Sequence, residues 1–89
     1  MPAISMFYGI IIYMYFFDNQ KHHLPRLHAE FGEFEGIFTL HDAEMIEGNL
    51  PGKQKRLVSA WMEIHRDELI ANWKLSILGQ NAFKVEPLK

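Results

Sequence analysis

The chain has 89 residues, a formal net charge of −2 at neutral pH and no cysteine. That length leaves no room for two domains, and the lack of cysteine excludes a disulfide framework and a thiolate zinc site. The charge argues against a general nucleic-acid binder, whose affinity comes mostly from phosphate neutralisation, although a local basic patch would still permit one. Hydrophobic residues make up 48% and aromatics 13% of the sequence, enough for a core and contrary to a disordered chain. A chain of this size buries only roughly 60–65% of the surface it exposes when unfolded, so its margin is modest.

Met6 to Phe17 is an almost unbroken apolar run. A signal peptide would want basic residues before it and a small-residue cleavage site after it. Pro2 and Ser5 precede it instead, and Asp18-Asn19 follows. The run is shorter than the roughly 20 residues of a spanning helix, and it is rich in Ile, Tyr and Phe, which favour strands. It is expected to form one central β-strand of a soluble, cytoplasmic protein. Tyr8, Ile10, Ile12, Met14 and Phe16 would share one face, and Phe7, Gly9, Ile11, Tyr13, Tyr15 and Phe17 the other.

Asp18 to Leu24 reads as a polar connection closed by Pro25. A clean alternation follows: Leu27, Ala29 and Phe31 point one way, Arg26, His28 and Glu30 the other. After Gly32-Glu33 the pattern resumes with Phe34, Gly36, Phe38 and Leu40 inward and Glu35, Ile37 and Thr39 outward. A two-residue turn at Gly32-Glu33 pairs Phe31 with Phe34, Ala29 with Gly36, and Leu27 with Phe38. All three pairs fall on the apolar face, so pattern and turn agree.

His41-Asp42 would turn the chain into a short strand around Glu44 to Glu47, which Glu47-Gly48-Asn49 would break. Pro51 suits a first helical turn. From there the spacing is helical, with Leu57, Trp61, Ile64 and Glu68 on one row and Val58, Met62, His65, Leu69, Trp73 and Ile77 beside it. Asp67 would cap a second helix after a bend near His65-Arg66, or one helix would run through; Gly79 ends it. The tail would add an edge strand around Phe83 to Val85. The expected fold is α+β: an antiparallel β-meander of three to four strands followed by a long or bent C-terminal helix packed on one sheet face, as a single domain over residues 1–89.

Chemistry concentrates on the hairpin's outer face. His28 and Glu30 share that face, and Glu35 stands across from Glu30 at roughly 5 Å between Cβ atoms. His28, Glu30 and Glu35 are therefore the candidate catalytic residues, since neighbouring carboxylates push one pKa up. His22, His23, His28 and Glu30 are the candidate metal ligands. A solvated face with two mildly repelling glutamates is the plainer reading of the same residues. Lys53, Lys55 and Arg56 open the helix against its dipole, and with Arg26 they are the candidate contacts to a partner. His41 reads as turn chemistry, His65 as a core or border residue, and Trp61 and Trp73 as core. No Gly-rich phosphate loop, HExxH or G-x-S-x-G is present. The sequence leaves the cofactor open and implies none strongly.

The chain resembles a domain-of-unknown-function family of very small bacterial proteins. Members of that family begin M-P-x-I-S-x-F-Y-G-I-x-I, matched here by Met1, Pro2, Ile4, Ser5, Phe7, Tyr8, Gly9, Ile10 and Ile12. They carry H-x-x-P-H-(F/I)-H-x-x-Y, matched by His22, Pro25 and His28. Glu47, Gly48, Leu50 and Pro51 match the junction into a helix, where Trp61, His65, Glu68, Leu69 and Trp73 match W-x-x-x-H-x-x-E-L-x-x-x-W; Pro87-Leu88 matches the end. Arg26 stands where the family has the first histidine of H-x-H, and Phe31 where it has tyrosine. The resemblance implies a compact α+β fold and a gene beside that of another small protein, an arrangement like toxin–antitoxin pairs. It brings no established activity.

Two function classes follow. One is a non-enzymatic protein-binding module that pairs with a second small protein, or with itself as a homodimer through a sheet edge. The other is a metal-assisted hydrolase or ribonuclease-type toxin using the His/Glu face.

Overall fold

The N-terminal apolar run makes two strands where one was expected. In a computed structural model, which describes residues 3–14 and 25–89, β1 (Ala3–Phe7) turns at Tyr8-Gly9 into β2 (Ile10–Tyr13). Tyr8 and Gly9 have φ of 50° and 78°, the pair of positive angles that a type I′ hairpin turn requires. Gly9 was the readable sign of this turn, and the apolar residues on both sides masked it. An alanine Cβ at Gly9 would also press on the Phe31 ring at 3.3 Å. The expectations placed on Tyr15 to Leu24, including His22 and His23, lie outside the described residues.

The sheet has five strands in the order β1-β2-β3-β4-β5, all antiparallel, with β3 at Arg26–Phe31, β4 at Phe34–Thr39 and β5 at Glu44–Asn49. The architecture is the expected α+β meander with more strands than expected. The β3–β4 hairpin has the anticipated register: Leu27 faces Phe38, Ala29 faces Gly36 and Phe31 faces Phe34.

Gly48 does not break β5, contrary to expectation. It pairs with Gly36 of β4, after an extra residue at Ile46 shifts the register between Ile37 and Phe38. Gly48 has φ of +90°, and a Cβ there would stand 2.1 Å from the Glu35 carbonyl oxygen. Absence of a side chain is what lets β5 continue against β4 past the bulge.

Two helices follow, α1 (Gly52–Ile64) and α2 (Arg66–Ile77), bent at His65. The bend is slight in hydrogen-bonding terms, since His65 N–H still reaches the Trp61 carbonyl and Leu69 N–H reaches that of His65. Asp67 and Glu68 lie in the first turn of α2, where the helix dipole favours negative charge.

The helices cover one sheet face. The Trp61 ring lies 5.2 Å from that of Phe7, and the register puts Phe7 on the same face as Ile10, Ile12, Ala29, Leu27 and Phe38. These side chains bury against Val58, Trp61, Met62, Leu69 and Trp73. Each large apolar side chain buried fully contributes roughly 1.5–3 kcal/mol. The tail does not form the expected edge strand. It runs beside β1 with a bond from Val85 N–H to the Ile4 carbonyl. No helix among the described residues is long and apolar enough to cross a membrane.

Candidate functional site

The second face of the sheet gathers the charged residues of the strands, with Arg26, His28 and Thr39 buried on it and Glu35, Glu44 and Glu47 exposed. Continuous pairing runs Met6, Ile11, Glu30, Glu35, Asn49 along one row and Tyr13, His28, Ile37, Glu47 along the next, with Arg26, Thr39 and Glu44 beyond. Because side chains alternate along each strand, these residues share the face turned away from Phe7, Ile10 and Phe38, although the Arg26 side chain, at the start of β3, reaches Trp73 of α2. All the glutamates of the strands, Glu30, Glu35, Glu44 and Glu47, are therefore on that face.

The candidate catalytic residues do come together there. Glu30 and Glu35 are direct cross-strand partners, and His28 Nδ1 lies 3.6 Å from Glu35 Oε2. Their surroundings differ, however. The His28 side chain is 7% exposed and that of Glu35 is 51% exposed, so the imidazole is anchored inside the layer while the carboxylate reaches into solvent. This corrects the picture of a uniformly solvated hairpin face. The arrangement offers one imidazole with a solvent-exposed carboxylate partner and a second carboxylate alongside. Among the described residues no three histidine, aspartate or glutamate side chains converge closely enough to hold a metal ion. Of the candidate ligands, His22 and His23 lie outside those residues.

The candidate partner contacts separate into two environments. Arg26 is 2% exposed, with its guanidinium carbon 5.9 Å from the centre of the Trp73 ring. That placement is a cation–π contact within the fold, and it removes Arg26 from the exposed group. Lys53, Lys55 and Arg56 are all exposed at the start of α1. That helix begins after Pro51 with no side-chain cap and no acidic residue in its first turn. Cations near a helix N-terminus oppose the dipole, typically by 0.3–1 kcal/mol each.

His65 sits at the helix junction with Nδ1 2.6 Å from Glu68 Oε1 and its ring 5.7 Å from that of Trp61. His41 is exposed in the turn before β5, and its carbonyl accepts a bond from Arg66 Nη1. Neither converges with the hairpin carboxylates. Trp61 and Trp73 are buried, as their helical spacing suggested.

Sequence reasoning missed Asn72. It is fully buried in α2 and makes two hydrogen bonds to the backbone of Phe83. One sign was available: Asn72 stands three residues after Leu69, so an amide occupies the row that faces the core.

A family profile described as "Domain of unknown function (DUF4160)" matches residues 9–74. The chain belongs to the DUF4160 family. The matched span runs from the β1–β2 turn to near the end of α2 and takes in the outer-face carboxylates, His28, the basic turn of α1 and Asn72. No significant match was found among curated proteins or among solved structures.

Proposed function

We propose that this DUF4160 protein is a non-enzymatic, cytoplasmic protein-binding module that pairs with another small protein, in a two-gene arrangement like that of toxin–antitoxin systems. The observation that carries the reading is the composition of the second sheet face where it is exposed. Ile11, Tyr13 and Ile37 are half-buried on it, and Met6 is 61% exposed. The four strand glutamates stand among them. An apolar patch among charged residues is the usual anatomy of a protein interface, and the charge calls for a partner with a basic rim. The exposed Lys53, Lys55 and Arg56 add a second contact of opposite sign, suited to an acidic part of the same partner.

Co-expression with the product of the adjacent gene, followed by purification through a tag on one chain, tests this. A stoichiometric complex is expected, weakened by Ile37→Glu and by Lys53→Glu with Lys55→Glu. Failure of the two chains to co-purify at low salt sinks the proposal.

A second reading rests on the 3.6 Å approach of His28 to Glu35 and the pairing of Glu35 with Glu30. In it the protein is a metal-assisted hydrolase or ribonuclease-type toxin, with His28 and the two carboxylates as acid/base groups and the metal completed by ligands beyond these three, His22 and His23 being the candidates. Titration with zinc, manganese or magnesium would then shift the His28 ring signals saturably, and Glu30→Ala would abolish both the shift and cleavage. If Glu30→Ala changes neither metal response nor cleavage, this reading fails.

A further inference from the structure

Residues 80–89 form neither helix nor strand, yet part of this tail is held as a bound peptide would be. Asn72 donates from Nδ2 to the Phe83 carbonyl at 2.9 Å and accepts the Phe83 N–H on Oδ1 at 2.8 Å. One side-chain amide thus acts toward Phe83 as a neighbouring strand would. Val85 N–H donates to the Ile4 carbonyl of β1 at 2.8 Å, and the Val85 side chain is 3% exposed within the core. The Trp61 indole Nε1 donates to the Glu86 carbonyl at 2.7 Å.

All of these bonds go to the backbone of the tail. The groove therefore reads an extended chain, with one apolar pocket for Val85, in the manner of strand addition to a sheet edge. The groove also resists being empty. Trp61 and Asn72 are fully buried, and losing the tail would strand the indole N–H and the amide without their partners. A cleft of about 330 Å³ continues beside it, lined by Ser5, Met6, Glu68, Lys84 and Glu86. The connection from α2 to the tail is short: Gln80 still bonds back to the Leu75 carbonyl, and Gln80 and Asn81 are exposed.

We infer that the groove formed by β1, Trp61 and Asn72 is a strand-addition site that takes the tail of a second copy of this chain in place of its own, so that two copies join by exchanging tails. The exchanged contacts are identical to the internal ones, so only the connection and the concentration decide between the two forms. A short flexible connection holds its own tail at an effective concentration on the order of 1 mM. The wild-type chain is then monomeric at micromolar concentration and exchanges as it approaches the millimolar range. Shortening the connection reverses the preference, because each residue removed takes away roughly 3.5 Å of reach.

Deletion of Gln80 and Asn81 tests this. The variant is expected to be a dimer by light scattering at tens of micromolar, where the wild type is a monomer, with the Trp61 fluorescence of the two alike. A monomeric deletion variant overturns the inference. A trapping experiment uses full-length chains and exploits the absence of cysteine. Ile4→Cys and Val85→Cys chains, mixed near 1 mM and oxidised, are expected to give a disulfide-linked heterodimer. If the mixture gives none, while the chain carrying both substitutions closes its own disulfide, the groove takes only its own tail and the inference falls.

Discussion

Gly48→Ala tests the account of how β5 stays on the sheet. The backbone at Gly48 has φ of +90°, and an added Cβ would fall 2.1 Å from the Glu35 carbonyl oxygen and 2.9 Å from the Gly36 Cα. Both neighbours are backbone atoms of β4, so no side chain can swing aside. The left-handed conformation costs a residue with a Cβ roughly 1–2 kcal/mol. Relieving the overlap by separating the strands costs about 1–3 kcal/mol more. The sum is about 3 kcal/mol, against a total stability of roughly 4–13 kcal/mol for a chain of this length. At about 4–8 °C per kcal/mol for a small domain, the midpoint of thermal unfolding should fall by roughly 12–24 °C.

Gly32→Ala is the internal control. Gly32 also has positive φ, at +59°, but a Cβ there meets nothing within 4 Å. Its cost should be the conformational part alone, about 1–2 kcal/mol. Urea unfolding followed by circular dichroism measures both variants, with the slope expected to be unchanged if only the native state is affected. Equal losses for Gly32→Ala and Gly48→Ala would refute the claim that close strand approach demands glycine at Gly48.

Four further predictions use the same logic. Asn72→Ala removes two hydrogen bonds to Phe83 and should cost about 2 kcal/mol, at roughly 1 kcal/mol per bond; faster amide exchange at Phe83 and Val85 would locate the loss in the tail, and unchanged exchange there would deny the clamp. Gly9→Ala should lose about 1–2 kcal/mol in thermal unfolding through the β1–β2 turn, and Tyr8→Asn should recover a few tenths or more, because asparagine tolerates positive φ better. Lys53→Glu should raise stability by about 0.3–1 kcal/mol by complementing the helix dipole, while weakening capture of the partner in the tagged co-purification; a rise in both would exclude the basic turn from the interface. His28→Gln should leave histidine-independent binding of a partner intact but remove any saturable metal response, read by NMR titration, and a metal response that survives would exclude His28 as a ligand.

Much of the fold was legible because side-chain alternation is a local property. Leu27, Ala29 and Phe31 against Phe34, Gly36 and Phe38 defined both the register and the buried face of the β3–β4 hairpin. A one-residue slip there would have turned the whole apolar set outward. The β1–β2 hairpin was not legible in the same way. Its strands are apolar on both sides, so alternation vanishes and Gly9 alone marks the turn. Gly48 misled in the opposite sense. Glycine weakens a strand interior and so read as a break, but it also marks bulges and close backbone approach, and here it permits contact with β4.

The candidate site divides along the same line. That His28, Glu30 and Glu35 share a face followed from period-two geometry, as did the core placement of Trp61 and Trp73 from helical spacing. Burial of Arg26 and its contact with Trp73 did not follow, because the contact joins β3 to a helix far along the chain. The role of Asn72 was equally hidden, since its partner is a tail segment eleven residues away with no periodic signal of its own.

The sequence by itself therefore determined the class of fold, the β3–β4 register, the helical rows that meet the core and the common face of the hairpin's charged residues, because each depends on spacing within a few residues. Only the tertiary structure decided that the first apolar run folds back on itself, that Arg26 belongs to the interior and that Asn72 and Trp61 clasp the tail against β1. The contacts of Arg26 with Trp73 and of the tail with β1 join segments far apart in the chain, and the first hairpin is apolar on both faces, so no local period records any of them.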